Sequence, residues 1–330
     1  MGVFFTYQPK REEKALFFHS LDMGKKILVA TEKPFAKEAV DGIREIVEKG
    51  GGQLVLLEKY TDKSQFIEAV ADVDALIVRS DKVTADVIEA AKNLKIVVRA
   101  GAGFDNLDLA ACTAKGIVAM NTPGQNSNAV AELAIGMMVY MARNCFNPGT
   151  GSELQGKTLG IHAYGNVGRL VGLKGKALGM TVYAYDPFIT DDAVYQKDGV
   201  IKVNSVEDLY GKCRYVSLHI PANDQTRKSI GHKLLTSMPK GGTLVNTARK
   251  EVIDEDGLAR ALAERDDLKY ATDIAADMQV VLNEKFPNRA FATSKKMGAE
   301  TGEANVNAGL AAANQIMDFF ATGNTRFKVN

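Results

Sequence analysis

The sequence has no tryptophan, three cysteines and four histidines in 330 residues. Cys112, Cys145 and Cys213 lack the spacing of metal ligands, so we expect reduced thiols, a cytoplasmic location and no metal site. The net charge of +1 argues against general binding to nucleic acid or an anionic membrane, and no apolar run is long enough to cross a bilayer. The whole sequence is 46% hydrophobic and 25% charged, which is typical of a globular protein. Its length is enough for two domains, each with its own hydrophobic core.

The N-terminal residues 1–25 differ from the chain that follows. Charges in Lys10-Arg11-Glu12-Glu13-Lys14 interrupt any signal-peptide core, and the first convincing strand begins only at Lys26. We expect residues 1–25 to be an N-terminal extension that precedes the fold. One interpretation is that Met23 is the natural start and that the residues before it were added.

From Lys26 onward, short apolar runs alternate with segments of helical periodicity. The pattern breaks at Asn121-Thr122-Pro123-Gly124, a long helix is predicted from about Ser127 to Arg143, and a second alternating series begins at Lys157. Apolar runs without polar alternation are typical of parallel strands buried on both faces. The sequence therefore predicts an α/β protein with two doubly wound, Rossmann-like domains and a cleft between them.

One segment has the form of a βαβ unit that binds a dinucleotide. An apolar run leads into a turn with Gly165 and Gly168 in the spacing of the dinucleotide fingerprint, although Ala163 stands at its first glycine position. Asp186 ends the next apolar run, where a carboxylate can accept the ribose hydroxyls and repel a 2′-phosphate. The pattern predicts NAD in preference to NADP, and an ordinary strand-to-helix packing turn is the simpler alternative.

Further motifs surround this unit in a fixed order along the chain. They are Arg99-Ala100-Gly101-Ala102-Gly103-Phe104-Asp105-Asn106, Asn121-Thr122-Pro123-Gly124-Gln125-Asn126-Ser127, Ala129-Val130-Ala131-Glu132-Leu133, His219-Ile220-Pro221 with Thr226, and Asn246-Thr247-Ala248-Arg249. Together they resemble the D-2-hydroxyacid dehydrogenase family over about residues 26–323, and most closely its members that oxidise D-3-phosphoglycerate.

The resemblance implies a substrate-binding domain of residues 26–121 and 301–330 and an NAD-binding domain of residues 122–300. It implies a homodimer that uses the long helix, and NAD-dependent oxidation of a small phosphorylated 2-hydroxy acid, D-3-phosphoglycerate, to 3-phosphohydroxypyruvate at the start of serine biosynthesis. Two alternatives stay open: a glyoxylate or hydroxypyruvate reductase, and a non-catalytic NAD-sensing scaffold.

The resemblance also assigns residues to the site. The cofactor-binding residues would be Gly165, Asn166, Val167, Asp186, Pro187, His219, Pro221, Thr226, Thr247, Ala248, Arg249, Asp273, Lys296 and Gly298. The substrate-binding residues would be Arg79, Ser80, Gly101, Ala102, Gly103, Asn106 and Arg249.

Arg249, Lys296 and Asp277 are the expected catalytic residues. Arg249 follows a strand end and can hold a carboxylate through two hydrogen bonds, with a surface salt bridge as the alternative. Lys296 stands where the family has its catalytic histidine, and a lysine base needs a pKa lowered from about 10.4, which burial and nearby cations provide. The alternative for Lys296 is an exposed cation beside Lys295. Asp277 is the candidate carboxylate partner of Lys296.

The sequence departs from the family in three further places. Ala163 replaces the first fingerprint glycine, and the connector from Cys145 to Gly156 is short and lacks the usual loop with a tryptophan. No serine-sensing domain follows the final helix in this sequence, so we expect no inhibition by serine.

Overall fold

The computed structural model describes residues 24–330, so nearly all of the expected extension, residues 1–25, lies outside the described part of the chain. The chain divides into two compact units. The first holds the chain up to Asn126 together with Gly302–Asn330, and the second holds Ser127–Thr301.

Each unit is built on one sheet in which neighbouring strands run parallel. The first sheet has the order β2-β1-β3-β4-β5, and its strands are β1 (Lys26–Thr31), β2 (Gln53–Glu58), β3 (Ala75–Val78), β4 (Ile96–Arg99) and β5 (Val118–Asn121). The second sheet has the order β12-β11-β10-β9-β6-β7-β8, and its strands are β6 (Thr158–His162), β7 (Thr181–Tyr185), β8 (Ile201–Lys202), β9 (Tyr215–Leu218), β10 (Thr243–Asn246), β11 (Lys269–Thr272) and β12 (Ala290–Ala292).

Helices connect the strands and cover the sheets. Those of the first unit are α1 (Lys37–Lys49), α2 (Lys63–Val70), α3 (Ala85–Ala90), α4 (Leu109–Ala114) and, after the second unit, α12 (Gly302–Thr322). Those of the second unit are α5 (Ser127–Ala142), α6 (Asn166–Ala177), α7 (Asp192–Asp198), α8 (Val206–Lys212), α9 (His232–Ser237), α10 (Glu255–Glu264) and α11 (Gln279–Lys285).

The first sheet has a hydrophobic core on each face because successive strand residues point to opposite sides. Ile27 and Val29 of β1 pack in one core with α1 and α12, whereas Leu28 and Ala30 pack in the other with α2, α3 and α4. All four side chains are fully buried. The apolar run at the start of the first unit is predicted to form a strand buried on both faces, and β1 is such a strand.

The second sheet follows the same rule. Leu159 and Ile161 of β6 pack with α5 and α6, and Val216 and Leu218 of β9 pack with α8, α9, α10 and α11. Two parallel sheets, each with helices on both faces, confirm the α/β class with two doubly wound sheets. No helix within residues 24–330 is both long and apolar enough to span a bilayer.

The connector after α5 contains a turn of unusual conformation. Its one-turn helix Asn144–Phe146 has φ angles of 54°, 56° and 59° at its three residues, which is the left-handed region that side chains disfavour. Phe146 is 68% exposed on this turn.

Candidate functional site

The expected cofactor residues of the second unit all lie at the carboxyl ends of its strands. The chain leaves β6 for β7 and β8 on one side and returns to β9 on the other, so the strand order reverses between β6 and β9. Crevices at such reversal points are where parallel α/β sheets bind ligands. The fingerprint turn follows β6, and His219 follows β9, directly at this point.

The fingerprint turn is built for close backbone approach. A side chain at Gly168 would place its Cβ 2.1 Å from the carbonyl oxygen of Ala163, so only glycine fits there. At Gly165, by contrast, a Cβ would meet no atom of the described residues within 4 Å. Gly165 precedes α6, and no side chain in the described part of the chain caps that helix. The open N-terminus of α6 therefore suits a phosphate group, which fits a dinucleotide.

Asp186 is tied to the same turn. Its Oδ2 accepts a hydrogen bond from the backbone N–H of Tyr164 at 2.9 Å, and its Oδ1 accepts one from the N–H of Phe188 at 2.9 Å. The carboxylate at the end of β7 is thus oriented by the turn that follows β6.

Two histidines stand at the adjacent ends of β6 and β9. The backbone N–H of His219 donates to the carbonyl of His162 at 2.9 Å. Burial lowers the pKa of His162 to about 4 and that of His219 to about 3, and the neighbouring His162 adds to the second shift. Both imidazoles are therefore neutral at pH 7.

The segment after His219 closes in a tight turn. The hydroxyl of Thr226 donates to the carbonyl of Pro221 at 2.5 Å and accepts from the N–H of Asn223 at 2.9 Å. This gives Thr226 a role in shaping the loop at the strand end.

Arg249 lies on a turn that a buried side chain controls. Asn246, fully buried at the end of β10, donates from Nδ2 to the carbonyl of Arg249 at 3.0 Å and accepts from the N–H of Ala248 at 3.0 Å. The guanidinium of Arg249 donates to the carbonyl of Ala248 at 2.9 Å. Asn246 belongs to the motif Asn246-Thr247-Ala248-Arg249, but the spacing of that motif does not predict these contacts.

The segment with Lys296 is held through Asp273. This fully buried carboxylate, just past β11, accepts from the N–H of Gly298 at 2.7 Å and of Met297 at 3.3 Å, both on Oδ2. A Cβ at Gly298 would lie 2.9 Å from that same oxygen, so glycine permits the contact. Asp273 thereby orients the backbone next to Lys296. The side chain of Lys296 is exposed, so it lacks the burial expected of a lysine base, and in this respect it fits the alternative of an exposed cation.

Asp277 has a partner other than the one expected. Its carboxylate receives a hydrogen bond from Lys250 Nζ at 2.6 Å, and its backbone N–H donates to Glu255 at 2.9 Å. The residue is exposed. These contacts give no support to the expectation that Asp277 serves Lys296.

The expected substrate residues of the first unit follow β3 and β4, at one edge of its sheet. The guanidinium of Arg79 donates to the carbonyls of Lys33 and Pro34 at 3.1 and 3.3 Å and to Asn305 Oδ1 at 2.5 Å. It also lies over the ring of Phe35, 5.3 Å from the centroid. Arg79 is therefore held in place, and Ser80 beside it is exposed.

Residues around this loop fix its backbone. Asn106 Nδ2 donates to the carbonyl of Asp81 at 2.7 Å, and Arg99 Nε donates to the carbonyl of Arg79 at 3.0 Å. The buried carboxylate of Asp81 accepts a hydrogen bond from the Tyr60 hydroxyl at 2.8 Å. Burial, together with this hydrogen bond, raises the pKa of the Tyr60 phenol. Asp81 carried no sequence signal, because its partners come from distant segments.

The loop with the remaining substrate candidates is joined to the end of β5. Asn121 Nδ2 donates to the carbonyl of Ala102 at 2.7 Å, and the N–H of Thr122 donates to the carbonyl of Gly101 at 2.9 Å. Gly103 is partly exposed beside them. Hydrogen bonds thus connect predicted substrate residues of the first unit, whereas the predicted residues of the second unit as a group share only the carboxyl edge of one sheet.

Three similarities bear on what these groups do. D-3-phosphoglycerate dehydrogenase of Methanocaldococcus jannaschii is 35% identical over 305 residues, covering 88% of this chain and 56% of that protein. Hydroxypyruvate reductase of Thermotoga maritima is 38% identical over 220 residues, covering 62% of this chain and 70% of that protein. A crystal structure described as cofactor (NAD+) bound 3-phosphoglycerate dehydrogenase of Entamoeba histolytica is 50% identical, with a TM-score of 0.82, and covers 93% of this chain and 99% of that chain.

The chain spans 56% of the length of the archaeal relative and 54% of that of human D-3-phosphoglycerate dehydrogenase, which is 35% identical over 289 residues. The family model described as D-isomer specific 2-hydroxyacid dehydrogenase, catalytic domain, matches residues 28–330, nearly all of the described chain. The chain belongs to the D-isomer specific 2-hydroxyacid dehydrogenase family.

Proposed function

We propose that the chain is an NAD-dependent dehydrogenase that oxidises D-3-phosphoglycerate to 3-phosphohydroxypyruvate. The observation that carries the proposal is the arrangement in the second unit. The open N-terminus of α6, the carboxylate of Asp186, the turn with Arg249 and the segment with Lys296 follow β6, β7, β10 and β12, so they all lie at the carboxyl edge of a single sheet. The 50% identity to a protein described as NAD+-bound 3-phosphoglycerate dehydrogenase supports the same reaction.

In this proposal the second unit binds NAD and the first unit binds the substrate. The diphosphate is held by backbone N–H groups at Gly165, Asn166 and Val167, and Asp186 accepts the ribose hydroxyls. The rest of the NAD-binding surface would be formed by Pro187, His219, Pro221, Thr226, Thr247 and Ala248. When bound, NAD accepts the hydride from C2 of the substrate.

Arg249 binds the substrate carboxylate and polarises the oxygen on C2. The neutral amine of Lys296 takes the hydroxyl proton as the C2–O bond becomes a carbonyl, and the ammonium returns that proton in the reverse reaction. Asp273 and Gly298 orient the backbone beside that amine. Asp277 is kept as the weaker candidate partner, because Lys250 already engages its carboxylate.

The substrate phosphate is assigned to Arg79 and Ser80, with Gly101, Ala102, Gly103 and Asn106 forming the adjacent loop. Two nitrogens of Arg79 are already held by the first unit, so its guanidinium is oriented before any ligand arrives. Replacing Arg79 by alanine should weaken use of the phosphorylated substrate far more than use of glyoxylate.

The test is oxidation of NADH in the presence of 3-phosphohydroxypyruvate, glyoxylate or hydroxypyruvate, read as absorbance loss with purified protein. We expect 3-phosphohydroxypyruvate to give by far the largest kcat/KM. A preference for hydroxypyruvate or glyoxylate would replace the proposed substrate, and tight NADH binding without turnover of any of them would favour a sensing scaffold.

Lys296 has its own test, with the adjacent Lys295 as matched control. Replacing Lys296 by alanine should remove most of the turnover, whereas the same change at Lys295 should leave it within a few-fold. The acid limb of 3-phosphoglycerate oxidation should lie well above the value of roughly 6.5 typical of an imidazole base. Wild-type rates in the Lys296 variant would exclude the proposed proton route.

We also propose a cytoplasmic homodimer. The second unit exposes Val139 at the end of α5, Phe146 on the left-handed turn and Leu178 after α6, which is apolar surface that a partner could cover. The three cysteines form no disulfide among the described residues, as a reducing compartment requires. Light scattering on purified protein should give twice the chain mass of 35.6 kDa, and a monomer would contradict this.

A further inference from the structure

A hydrogen-bond network with two buried members, Tyr164 and Asp198, includes a residue of the fingerprint turn. Tyr164 is the residue between Ala163 and Gly165, and its ring is 1% exposed. Its hydroxyl donates to Oδ2 of Asp198, at the end of α7, at 3.0 Å. Arg169, in the first turn and a half of α6, donates to both oxygens of the same carboxylate, from Nε at 2.5 Å and from a terminal nitrogen at 2.9 Å.

We propose that Tyr164, Arg169 and Asp198 form an anchor that holds the fingerprint turn in the shape required to bind the dinucleotide diphosphate. The inference rests on the proposed function and deepens it. The three are positioning residues, since the phosphate contacts themselves come from backbone N–H groups.

The anchor holds the turn through its own residue Tyr164 and through Arg169 of the helix that follows. Tyr164 is bound on its side chain by Asp198 and on its backbone N–H by Asp186. Arg169 belongs to α6, whose first N–H groups have no side-chain cap and are the ones proposed to bind the diphosphate. The same carboxylate of Asp198 thus ties the turn to the helix that follows it.

The turn requires stabilising contacts because Ala163 lies at φ 76°, in the left-handed region that residues with a side chain disfavour. A strained backbone conformation persists only where surrounding contacts enforce it. The acceptor of these contacts is buried, since Asp198 is 7% exposed. Arg169 holds the pKa of its carboxyl below the ordinary value, so the carboxylate stays ionised at neutral pH.

The network also orients the side chain of Arg169. Two nitrogens of the Arg169 guanidinium, Nε and one terminal nitrogen, donate to the two oxygens of Asp198, and this paired hydrogen bond fixes the direction of the side chain. In this proposal the helix N–H groups bind the diphosphate, and Arg169 belongs to the anchor. Loss of the anchor should weaken cofactor binding through geometry, with little change in the chemical step.

The experiment compares Tyr164→Phe with Tyr195→Phe. Tyr195 is equally buried at 1% exposure, its ring stacks on Tyr164 with centroids 5.1 Å apart, and its hydroxyl donates to the carbonyl of Ile189 at 3.3 Å. Each variant loses one buried hydroxyl, but only Tyr164 lies in the turn. NADH binding is measured by fluorescence titration, and KM for NAD and kcat by steady-state kinetics.

We expect Tyr164→Phe to raise the dissociation constant of NADH and the KM for NAD five- to tenfold with kcat within twofold, and Tyr195→Phe to leave all three within twofold. Arg169→Gln, a change at a half-exposed position, should give the same pattern as Tyr164→Phe. If Tyr164→Phe and Arg169→Gln both bind NADH as wild type does, the anchor is refuted. If wild type itself does not bind NADH, the proposed function fails instead.

Discussion

Ala163 carries backbone strain at the first position of the fingerprint turn. With φ at 76° it lies in the left-handed region, which costs an L-residue roughly 1–2 kcal/mol. Glycine adopts this conformation without that cost, although it adds roughly 0.4–1 kcal/mol of entropy to the unfolded chain. We predict that Ala163→Gly stabilises the protein by about 0.5–1 kcal/mol, measured by urea unfolding.

The matched control is Ala311→Gly, in the middle of α12, where the helical backbone favours alanine. That change should destabilise by about 1 kcal/mol. A loss of stability in both variants would show that Ala163 is not strained in solution.

His162 makes stability depend on pH. Its pKa is about 4 in the folded chain, against roughly 6.5 when unfolded, so the unfolded chain binds the proton first as pH falls. Its contribution is therefore complete above pH 6.5 and is lost as pH falls toward 4. We predict a loss of about 2 kcal/mol between pH 7 and pH 5 from this residue.

The measurement is chemical unfolding at both pH values for wild type and for His162→Leu, which has no titrating group. The variant should show a smaller loss than wild type over the same interval. Equal losses would mean that His162 titrates normally in the folded state.

At the residue scale, spacing identified the turn with Gly165 and Gly168 and the carboxylate of Asp186, because both are local signals in a βαβ unit. It could not identify Asp198 as the partner of Tyr164, because 34 residues separate them and an acid at the end of a short helix has no distinctive pattern. The partner of Asp277 was missed for the same reason: Lys250 lies 27 residues away.

At the scale of elements, the C-terminal residues protect an edge of the first sheet. Lys328 forms an antiparallel bridge with Met120 of β5, and the side chain of Asn330 accepts from the N–H of Ala119 at 2.8 Å and donates to the carbonyl of Ile117 at 2.9 Å. Because β5 is an edge strand, these bonds occupy backbone groups that would otherwise be open to another chain.

We predict that Asn330→Ala destabilises the protein by roughly 1–2 kcal/mol, because it leaves a backbone donor and acceptor without their partner. Asn93→Ala is the control, since the Asn93 amide makes one exposed hydrogen bond, to Asp72 at 3.0 Å, and its loss should stay within about 0.5 kcal/mol. Equal effects in urea unfolding would show that the edge contact adds nothing.

Strands of four or more residues were predictable and shorter ones were not. Ala75–Val78, Thr181–Tyr185 and Tyr215–Leu218 are strands with the bounds that their apolar runs predict. Ile201–Lys202 and Ala290–Ala292 were not predicted, because two or three residues at the edges of a sheet show no periodicity. Their pairing depends on neighbouring strands that are already in place.

At the scale of the whole molecule, the two units differ in how the chain builds them. The second is one continuous segment, Ser127–Thr301, with cores on both faces of its sheet. The first needs α12, whose Ala308, Ala312 and Ile316 are nearly or fully buried against one face of its sheet. One core of the first unit is thus completed by residues from the far end of the sequence.

We predict that residues 127–301 expressed alone fold cooperatively, whereas residues 24–126 alone do not. A fusion of 302–330 to the start of 24–126 should restore folding of the first unit, because it supplies α12. Circular dichroism and urea unfolding of the three fragments provide the test. A cooperative transition in 24–126 by itself would contradict the role given to α12.

The class of fold could be predicted because two separate series of apolar runs already imply two parallel sheets. The return of the final helix to the first unit came from the family resemblance and not from any local pattern, since an alanine-rich helix could pack on either unit. The substrate and the partner subunit depend on surfaces that the order of residues does not determine, so they stay proposals.

The late arrival of α12 has a consequence for biosynthesis. A ribosome releases the first sheet long before it has translated the helix that seals one of its faces, so the nascent chain carries an uncovered apolar surface while the continuous unit is still being made. Chaperones that bind extended hydrophobic segments should therefore engage the early part of this polypeptide, and their release should coincide with completion of the last thirty or so codons.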